Sequence, residues 1–590
     1  MPAFYLRHES RLAPAIGCLF LFAGTILLGG CSDDSDDVRQ IQTQRQLRMQ
    51  AQSQQDHLGE AFELLSRIVD LNADKAQRQI AYHLNQWLAE RDDPPTGSAP
   101  KLLATISDLL PADIAAVRVE KDRFVPSDVN HLRDCYLFRQ VVNWVNTEQR
   151  DDIVLQEWLD QQEQKLGIQL GDQLRTAARL FDWTVRNIAY EPLEEPSGGP
   201  PGLNLPFGMK FEGAGYRQSD YQSLWRGTGD AWQRAGVFIK LCQQASIRAA
   251  VLAVQSTKTG ELTPWCIGVF VGDEVYLLEP NLGVHVPGPG QVGIATLTQA
   301  RTDASVMRRL AIPGFFDYPL AKEDIQQNIA LLNLLPEAVS PRMKILESGL
   351  TGNRRMSVYV DADALAEELD KATGIAGVRL WKVPLLAEVY RVELEKQAER
   401  DPQFLFWYLS RWAIMDGGND MSDKLSRGRW RHLTGQFDDD EDGNVQGART
   451  LYLGQRAPEF EIADLDIDVE LQKAYGIRRE LRTSPELYMQ QVKQMQVLMR
   501  LGKRTATYWL SLLQYDDGRL ETAGSWLEKR VLDEEQLSRW EPAARYNLAR
   551  TLERLGQTER AIELYKTVGD PQEHGNRVRA RLLAKLSEQR

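Results

Sequence analysis

The hydrophobic positions of this chain recur mostly at helical spacing. Phe62, Leu65, Ile68, Val69 and Leu71 fall near one face of a segment that ends at "DDPPTGSAP", Asp92 to Pro100, where prolines and small polar residues stop a helix. The chain before them, from Val38, is polar and Gln-rich without a sustained heptad, so 38–100 predicts a long helix or a helical hairpin with a linker. From 101 to 172 the pattern stays helical, with Trp144 and Trp158 as core candidates. Residues 173–190, "QLRTAARLFDWTVRNIAY", predict an amphipathic helix whose face is Leu174, Ala177, Leu180, Phe181, Thr184, Val185 and Ile188. The spacing then fails from Glu191 to Gly229, which is rich in Gly, Pro and aromatics and reads as a long loop or lid.

A helix over 231–245 comes next, with Ala235, Phe238, Ile239 and Leu241 as its apolar positions. Three short apolar runs follow: "AAVLAV" (249–254), "WCIGVFV" (265–271) and "EVYLLEP" (274–280). They predict strands, the last two joined by a tight turn at Gly272-Asp273. Beyond about 315 the pattern is mainly helical again to about 480, apart from one predicted strand, "MSVYVDA" (356–362). The fold class is therefore α+β: a mainly helical chain with helices packed on a small antiparallel sheet and a C-terminal helical region.

That last region, 481–590, carries a spaced pattern. In "ARYNLARTLERLGQTERAIELYKTV" (544–568), Leu548, Ala549, Leu552, Gly556, Ala561 and Tyr565 resemble a tetratricopeptide repeat. Leu510, Gly518, Ala523 and Leu527 make a weaker earlier copy. The small residues fall where two helices of a pair approach closely, and the Gly ends the first helix. Two repeats rarely stand alone, so the helix over 485–501 is expected to cap the stack, and the pairs to form a concave binding face.

Charge changes the picture little. The formal net charge is −13 over 590 residues, which makes nucleic acid a poor partner. The first thirty residues change it more. Arg7 and Arg11 precede an apolar, small-residue run from Leu12 to Gly30 that ends in "LGGC", followed by the acidic tether "SDDSDD". This three-part pattern is a secretory signal, and the step into Cys31 resembles the lipobox of bacterial lipoproteins. The resemblance implies cleavage after Gly30 and acylation of Cys31 with fatty chains such as palmitate. It also implies a periplasm-facing protein held to the cell envelope, with Ser32 favouring the outer membrane. The competing reading is a single signal-anchor helix. Of five cysteines, Cys135, Cys242 and Cys266 remain after Cys18 and Cys31, too few for a disulfide scaffold. Buried free thiols are expected, with a Cys242–Cys266 bridge left open.

"FDWTVRNIAY", "GTGDAWQRAGVFIKLCQQASIRAAVL", "TPWCIGVFVGDEVYLLEPNLG" and "HVPGPG" occur in that order. The stretch 173–290 so resembles the transglutaminase-like, papain-related superfamily, and the implied domain, with its helical lead-in, spans 101–315. The family's chemistry uses a thiolate at a helix N-terminus, a His base and an Asp that orients it. Carried over by position, the nucleophile falls on Ala231, the base on Pro264 (Thr263 in the alternative register) and the orienting acid on Glu279. A methyl group cannot attack a carbonyl, and neither Pro nor Thr is a base. Cys242 lies about three turns, ~16 Å, from the helix start. Cys266 sits beside the base position, Asp230 has no basic partner, and His285 lies beyond Gly283.

The resemblance thus implies a pseudoenzyme without catalytic residues. Its expected remnant is a binding groove at the Ala231 end, formed by Trp225, Asp230, Trp232 and Trp265, with helix N-terminal amides free for a ligand. Other motifs are weaker. Asp438, Asp440, Asp442 and Gly443 begin like a calcium loop, but Arg449 stands at the twelfth position, so a solvated acidic loop is expected. His131 and Cys135 make at most half a metal site. The GTG at 227–229 is a turn, since no phosphate-binding Lys follows. No metal or cofactor is expected. The function read from the sequence is a non-catalytic, membrane-anchored envelope lipoprotein that binds protein or peptide partners. The alternative is an active cysteine-peptidase-like or acyl-transferring envelope enzyme with a rearranged site.

Overall fold

Helices form where the spacing predicts them, and the tertiary contacts decide which faces they bury. The computed structural model describes residues 56–91, 95–193, 214–256, 260–414, 423–479, 484–533 and 538–589. All but Asp56 belong to one compact unit, His57–Arg590. The signal-like run, Cys31, the tether and the Gln-rich segment lie outside the described residues. Among those described, no helix is long and apolar enough to cross a membrane.

The chain opens with a helical hairpin, α1 (His57–Ser66) and α2 (Ala73–Ala89). Asn72 starts α2 by accepting from Lys75 N at 3.1 Å. In α3 (Pro126–Glu148) the buried Trp144 donates its indole N–H to Leu433 O at 3.0 Å. Helix α4 (Ile168–Asn187) buries every position of its predicted face, and Asp182, Trp183, Arg186 and Asn187 are buried as well. A helix enclosed on all sides near its C-terminus is a central strut and not a surface helix.

After α4, β1 (Ala189–Tyr190) pairs in parallel with β2 (Thr228–Gly229). Between them the predicted loop is in part helical. Residues 194–213 lie outside the described residues, but α5 (Asp220–Arg226) forms, with Ser219 and Gln222 making a reciprocal capping box. The "SDYQ" spacing is the signal for it. Gly227 closes α5 in the left-handed region, φ 68°. The turn expected at 227–229 is this cap followed by β2.

Helix α6 (Ala231–Gln244) then packs on a six-stranded sheet. Its strands are β3 (Arg248–Gln255), β4 (Leu262–Val271), β5 (Glu274–Glu279), β6 (Val284–His285), β7 (Asn328–Leu332) and β8 (Ile375–Leu380), in the order β6-β5-β4-β3-β7-β8. All pairs are antiparallel except β7–β8. Strand alternation divides the core into two. Val251, Ala253, Ile267 and Leu278 face Phe181 of α4 and Ala235, Phe238, Ile239 and Cys242 of α6. Ala250, Leu252, Cys266 and Leu277 face a second apolar cluster on the other side. The fold is the predicted one: mainly helical α+β with a small, largely antiparallel sheet.

Two strands differ from expectation. "MSVYVDA" pairs with no strand among the described residues, and its last residue, Ala362, opens a helix. The amides of Val358 and Tyr359 donate to Glu347 Oε2 at 2.7 and 2.8 Å, and that of Ser357 to Gln244 Oε1 at 3.0 Å. Side chains take the place of a neighbouring strand. The sheet is completed instead by β7 and β8, both beyond residue 315, so the expected boundary there cuts through one sheet. Strand β7, "NIALL", is buried on both faces, and a short continuous apolar run has no period to tell it from a helix.

The C-terminal helices follow α7 (Asp423–Leu433). They are α8 (Pro485–Asp516), α9 (Leu520–Trp526), α10 (Glu541–Arg554), α11 (Thr558–Tyr565) and α12 (Glu573–Gln589). The segment expected to cap the stack is the first half of the single long helix α8. Gly518 and Gly556 end α8 and α10 at φ 74° and 73°, and Ala523, Ala549 and Ala561 are fully buried. The small residues mark close helix approach, as their spacing predicts.

Candidate functional site

Helix α6 begins at Ala231, and its first turn is closed by its own cap. Asp230 Oδ1 accepts from Trp232 N at 2.9 Å and Gln233 N at 3.0 Å, while Gln233 Oε1 accepts from Asp230 N at 2.8 Å. The second carboxylate oxygen accepts from Gly215 N at 2.8 Å. Two of the amide donors expected at this helix start, those of Trp232 and Gln233, are therefore taken by the cap, because an Asp N-cap with a Gln three residues on satisfies groups a ligand would need.

The tryptophans do not line one groove. Trp225 is 1% exposed, stacked on Tyr221 and edge-on to Trp430. Trp265 is the extra residue of a β-bulge, since Cys266 pairs with Leu252 and Pro264 with Ala253. The bulge turns Trp265 into the core on the far side of the sheet, where its indole N–H donates to Asn328 Oδ1 at 2.9 Å. Only Trp232 keeps partial exposure, beside Gly215 and Val383. The expected groove of Trp225, Trp232 and Trp265 is corrected accordingly: the bulge and the core around Trp430 separate its walls.

The other carried-over positions are equally occupied. Pro264 sits half-buried at the bulge, a place that suits a residue without an N–H. Glu279 shares the face of Leu277 and Cys266, accepting from the Tyr318 hydroxyl and, at 3.0 Å, from Asn281 N. Burial pushes its carboxyl up to about 7. Burial likewise raises both Cys242 and Cys266 thiols, which are free and lie on opposite faces of the sheet, so no bridge joins them. His285, opposite Leu278 in the β5–β6 pair, is held neutral by burial, its pKa lowered to about 4.

Between the start of α6 and the end of β5 stands a segment that sequence reasoning missed. Arg234 is buried and donates through Nε and Nη2 to Ile188 O and through Nη1 to Gln572 Oε1 at 2.6 Å. The Tyr190 ring covers it at 4.8 Å, and the Tyr190 hydroxyl donates to Asn281 Oδ1 at 3.1 Å. Gln572 also touches the β5–β6 turn, where a Cβ on Gly283 would meet Gln572 Nε2 at 2.8 Å. A Cβ on Gly575 would meet Leu282 O at 1.7 Å. The start of α12 is thus packed across the α6 and β5–β6 ends by the chain itself.

A second missed feature is a buried ionic network. Asp152 accepts from Arg579, Asp182 pairs with Arg186 and Arg550, Glu553 pairs with Arg579, and Asp516 pairs with Arg186 and His432. It joins α4 to α7, α8, α10 and α12. No local spacing announces it, because its members are scattered between 152 and 579.

The weaker motifs resolve simply. In the acidic loop, Arg449 donates to Asp438 Oδ1 and Asp517 Oδ2, both at 2.7 Å, while Asp439 and Asp440 accept from the amides of Gly447 and Val445. The loop's acids serve its own backbone and Arg449. His131 Nε2 contacts Val358 O at 2.9 Å and Cys135 Sγ at 3.6 Å. Among the described residues no group of three or more His, Cys, Asp or Glu side chains is arranged to hold a metal. Comparison of the chain with protein-family models, curated proteins and solved structures returns no match.

Proposed function

We propose that this chain is a non-catalytic, lipid-anchored envelope protein whose transglutaminase-like domain and tetratricopeptide-like helices form a scaffold for protein or peptide partners. One observation carries the loss of chemistry. The helix start that the resemblance assigns to the nucleophile holds Ala231, and both oxygens of the adjacent Asp230 are spent on backbone amides. Acyl transfer needs a nucleophile, a base within hydrogen-bond reach and donors for the oxyanion. Ala231 is no nucleophile and Pro264 no base, Glu279 is engaged by Tyr318 and Asn281, and the cap takes the amides of Trp232 and Gln233. A region that keeps a catalytic architecture without its reactive groups is suited to holding shape, and the signal-like run with Cys31 supports display at a membrane surface.

The test is a panel of peptide, amide and ester substrates offered to the purified protein, with a thiol-reactive probe in parallel. No turnover is expected from the natural chain or from Ala231→Cys, since no base stands at 263–264. Turnover that disappears on changing Asp230, Cys266 or Glu279 overturns the reading. Partner capture from envelope extracts then identifies what the scaffold holds.

The enzyme reading has one observation in its favour, the Cys135 thiol 3.6 Å from a His131 nitrogen. Both are buried within α3, away from a helix N-terminus. Cys135→Ser separates the readings: it leaves a scaffold unchanged and abolishes any turnover that this pair performs.

A further inference from the structure

The helical hairpin at the start of the described chain brings two imidazoles together. His57 begins α1 and His83 lies in α2, and their Nδ1 atoms are 3.1 Å apart. Hydrogen bonding between neutral rings requires that one Nδ1 carry a proton and the other accept it. The same separation suits two ligands of one ion. Two metal–nitrogen bonds of about 2.05 Å that span 3.1 Å meet at about 98°, between the octahedral and tetrahedral angles.

We propose that His57 and His83 form a two-imidazole site for a first-row divalent transition-metal ion such as Zn(II), Ni(II) or Cu(II), with water completing the coordination. One further feature supports it. Glu90 Oε1 lies 3.9 Å from His57 Nε2, the nitrogen that would not ligate, and a carboxylate behind a ligating imidazole orients it and raises its basicity. Both rings are partly buried, whereas the other described histidines are engaged elsewhere: His131 with Val358, His432 with Asp516 and His574 with Leu310, while His285 is in the core. Imidazole nitrogens favour these ions over Mg(II) or Ca(II), with Cu(II) bound most tightly.

The experiment uses the whole protein, purified without a polyhistidine tag, titrated with Ni(II), Zn(II) and Cu(II) by calorimetry. Cu(II) is also followed by electron paramagnetic resonance. One ion per chain and hyperfine coupling to two nitrogens are expected. Glu90→Gln should weaken binding by about tenfold, the scale of losing an outer-shell partner, and His57→Gln or His83→Gln by more. Hydrogen exchange of the natural chain provides a readout that needs no variant: metal should slow it in 57–66 and 73–89. Binding that survives in the His57→Gln/His83→Gln double variant, or no uptake and no exchange protection, overturns the site and leaves the pair a hydrogen-bonded contact only.

Discussion

Asp152 and Arg579, 427 positions apart, meet in the core through two hydrogen bonds of 2.9 Å. Burial alone would raise the Asp152 carboxyl, but Arg579 and Arg550 hold it well below the usual carboxylate range. Arg579 also donates to both oxygens of Glu553. Charges so deep are tolerated only as a satisfied set. Asp152→Asn should therefore cost about 3–5 kcal/mol, the scale of breaking a buried ionic set by removing one member. Urea unfolding followed by tryptophan fluorescence measures it. Asp152→Asn/Arg579→Met should not recover the loss, because Arg579 is also the donor to both oxygens of the buried Glu553. A single-variant loss under about 1 kcal/mol would mean that the pair behaves like a surface contact.

Glu279 and His285 give stability opposite pH dependences. The Glu279 carboxyl is raised to about 7, so between its unfolded value, about 4.3, and 7 the folded chain holds a proton that the unfolded chain has lost. Its contribution therefore falls as pH rises through that window. His285, lowered to about 4, stays neutral when folded while the unfolded imidazole titrates near about 6.5, so its contribution falls as pH drops from 6.5 to 4. Glu279→Gln should gain on the natural chain by about 3 kcal/mol between pH 5 and pH 8. Unfolding free energies at the two pH values check it, and an unchanged difference refutes it.

Ala561 is fully buried between α10 and α11. Ala561→Trp should force the helices apart at roughly 1–3 kcal/mol or more. Thermal unfolding of the whole chain is the measurement, and an unshifted transition would rule out close packing at this point.

Gly575 has no room for a side chain, because Leu282 O occupies the place of its Cβ. Gly575→Ala should lift the start of α12 from the β5–β6 turn and loosen the Arg234–Gln572 bond. Faster hydrogen exchange at 282–285 and 570–580 is expected. Exchange identical to that of the natural chain would mean that this contact is not tight.

The proposed lipid anchor is tested at Cys31. Acyl chains in combination make a stable anchor where one chain alone is marginal. Cys31→Ser should shift the protein from the membrane to the soluble fraction after a salt wash. Full retention with the membrane would place the anchor elsewhere.

The groove expected at Ala231 shows where legibility stopped. The helix, the three central strands and the absence of a thiol and a base at the assigned positions were readable from residue order alone. That Trp265 points away from Trp225 was not, because one bulged residue in β4 reverses a face and leaves no mark on the apolar pattern. The closed first turn of α6 was readable in principle from "DAWQ", whose Asp and Gln spacing is a capping pair.

By itself the sequence determined what depends on neighbours along the chain. Helical periods placed the α4 face from Leu174 to Ile188, Gly518 and Gly556 ended their helices, and the spacing of Ala523, Ala549 and Ala561 marked the close approaches. Only the tertiary structure decided what depends on partners far away. It set β7 and β8 into the sheet, gave the amides of "MSVYVDA" to Glu347 and Gln244, joined Asp152 to Arg579, laid Gln572 on Arg234 and placed His57 beside His83. The physical reason is the range of the interactions. Backbone propensity and amphipathic burial act over one or two turns and repeat with a period. A hydrogen bond or ion pair between distant segments is specified by the register of the whole fold, and no single stretch of residues carries it.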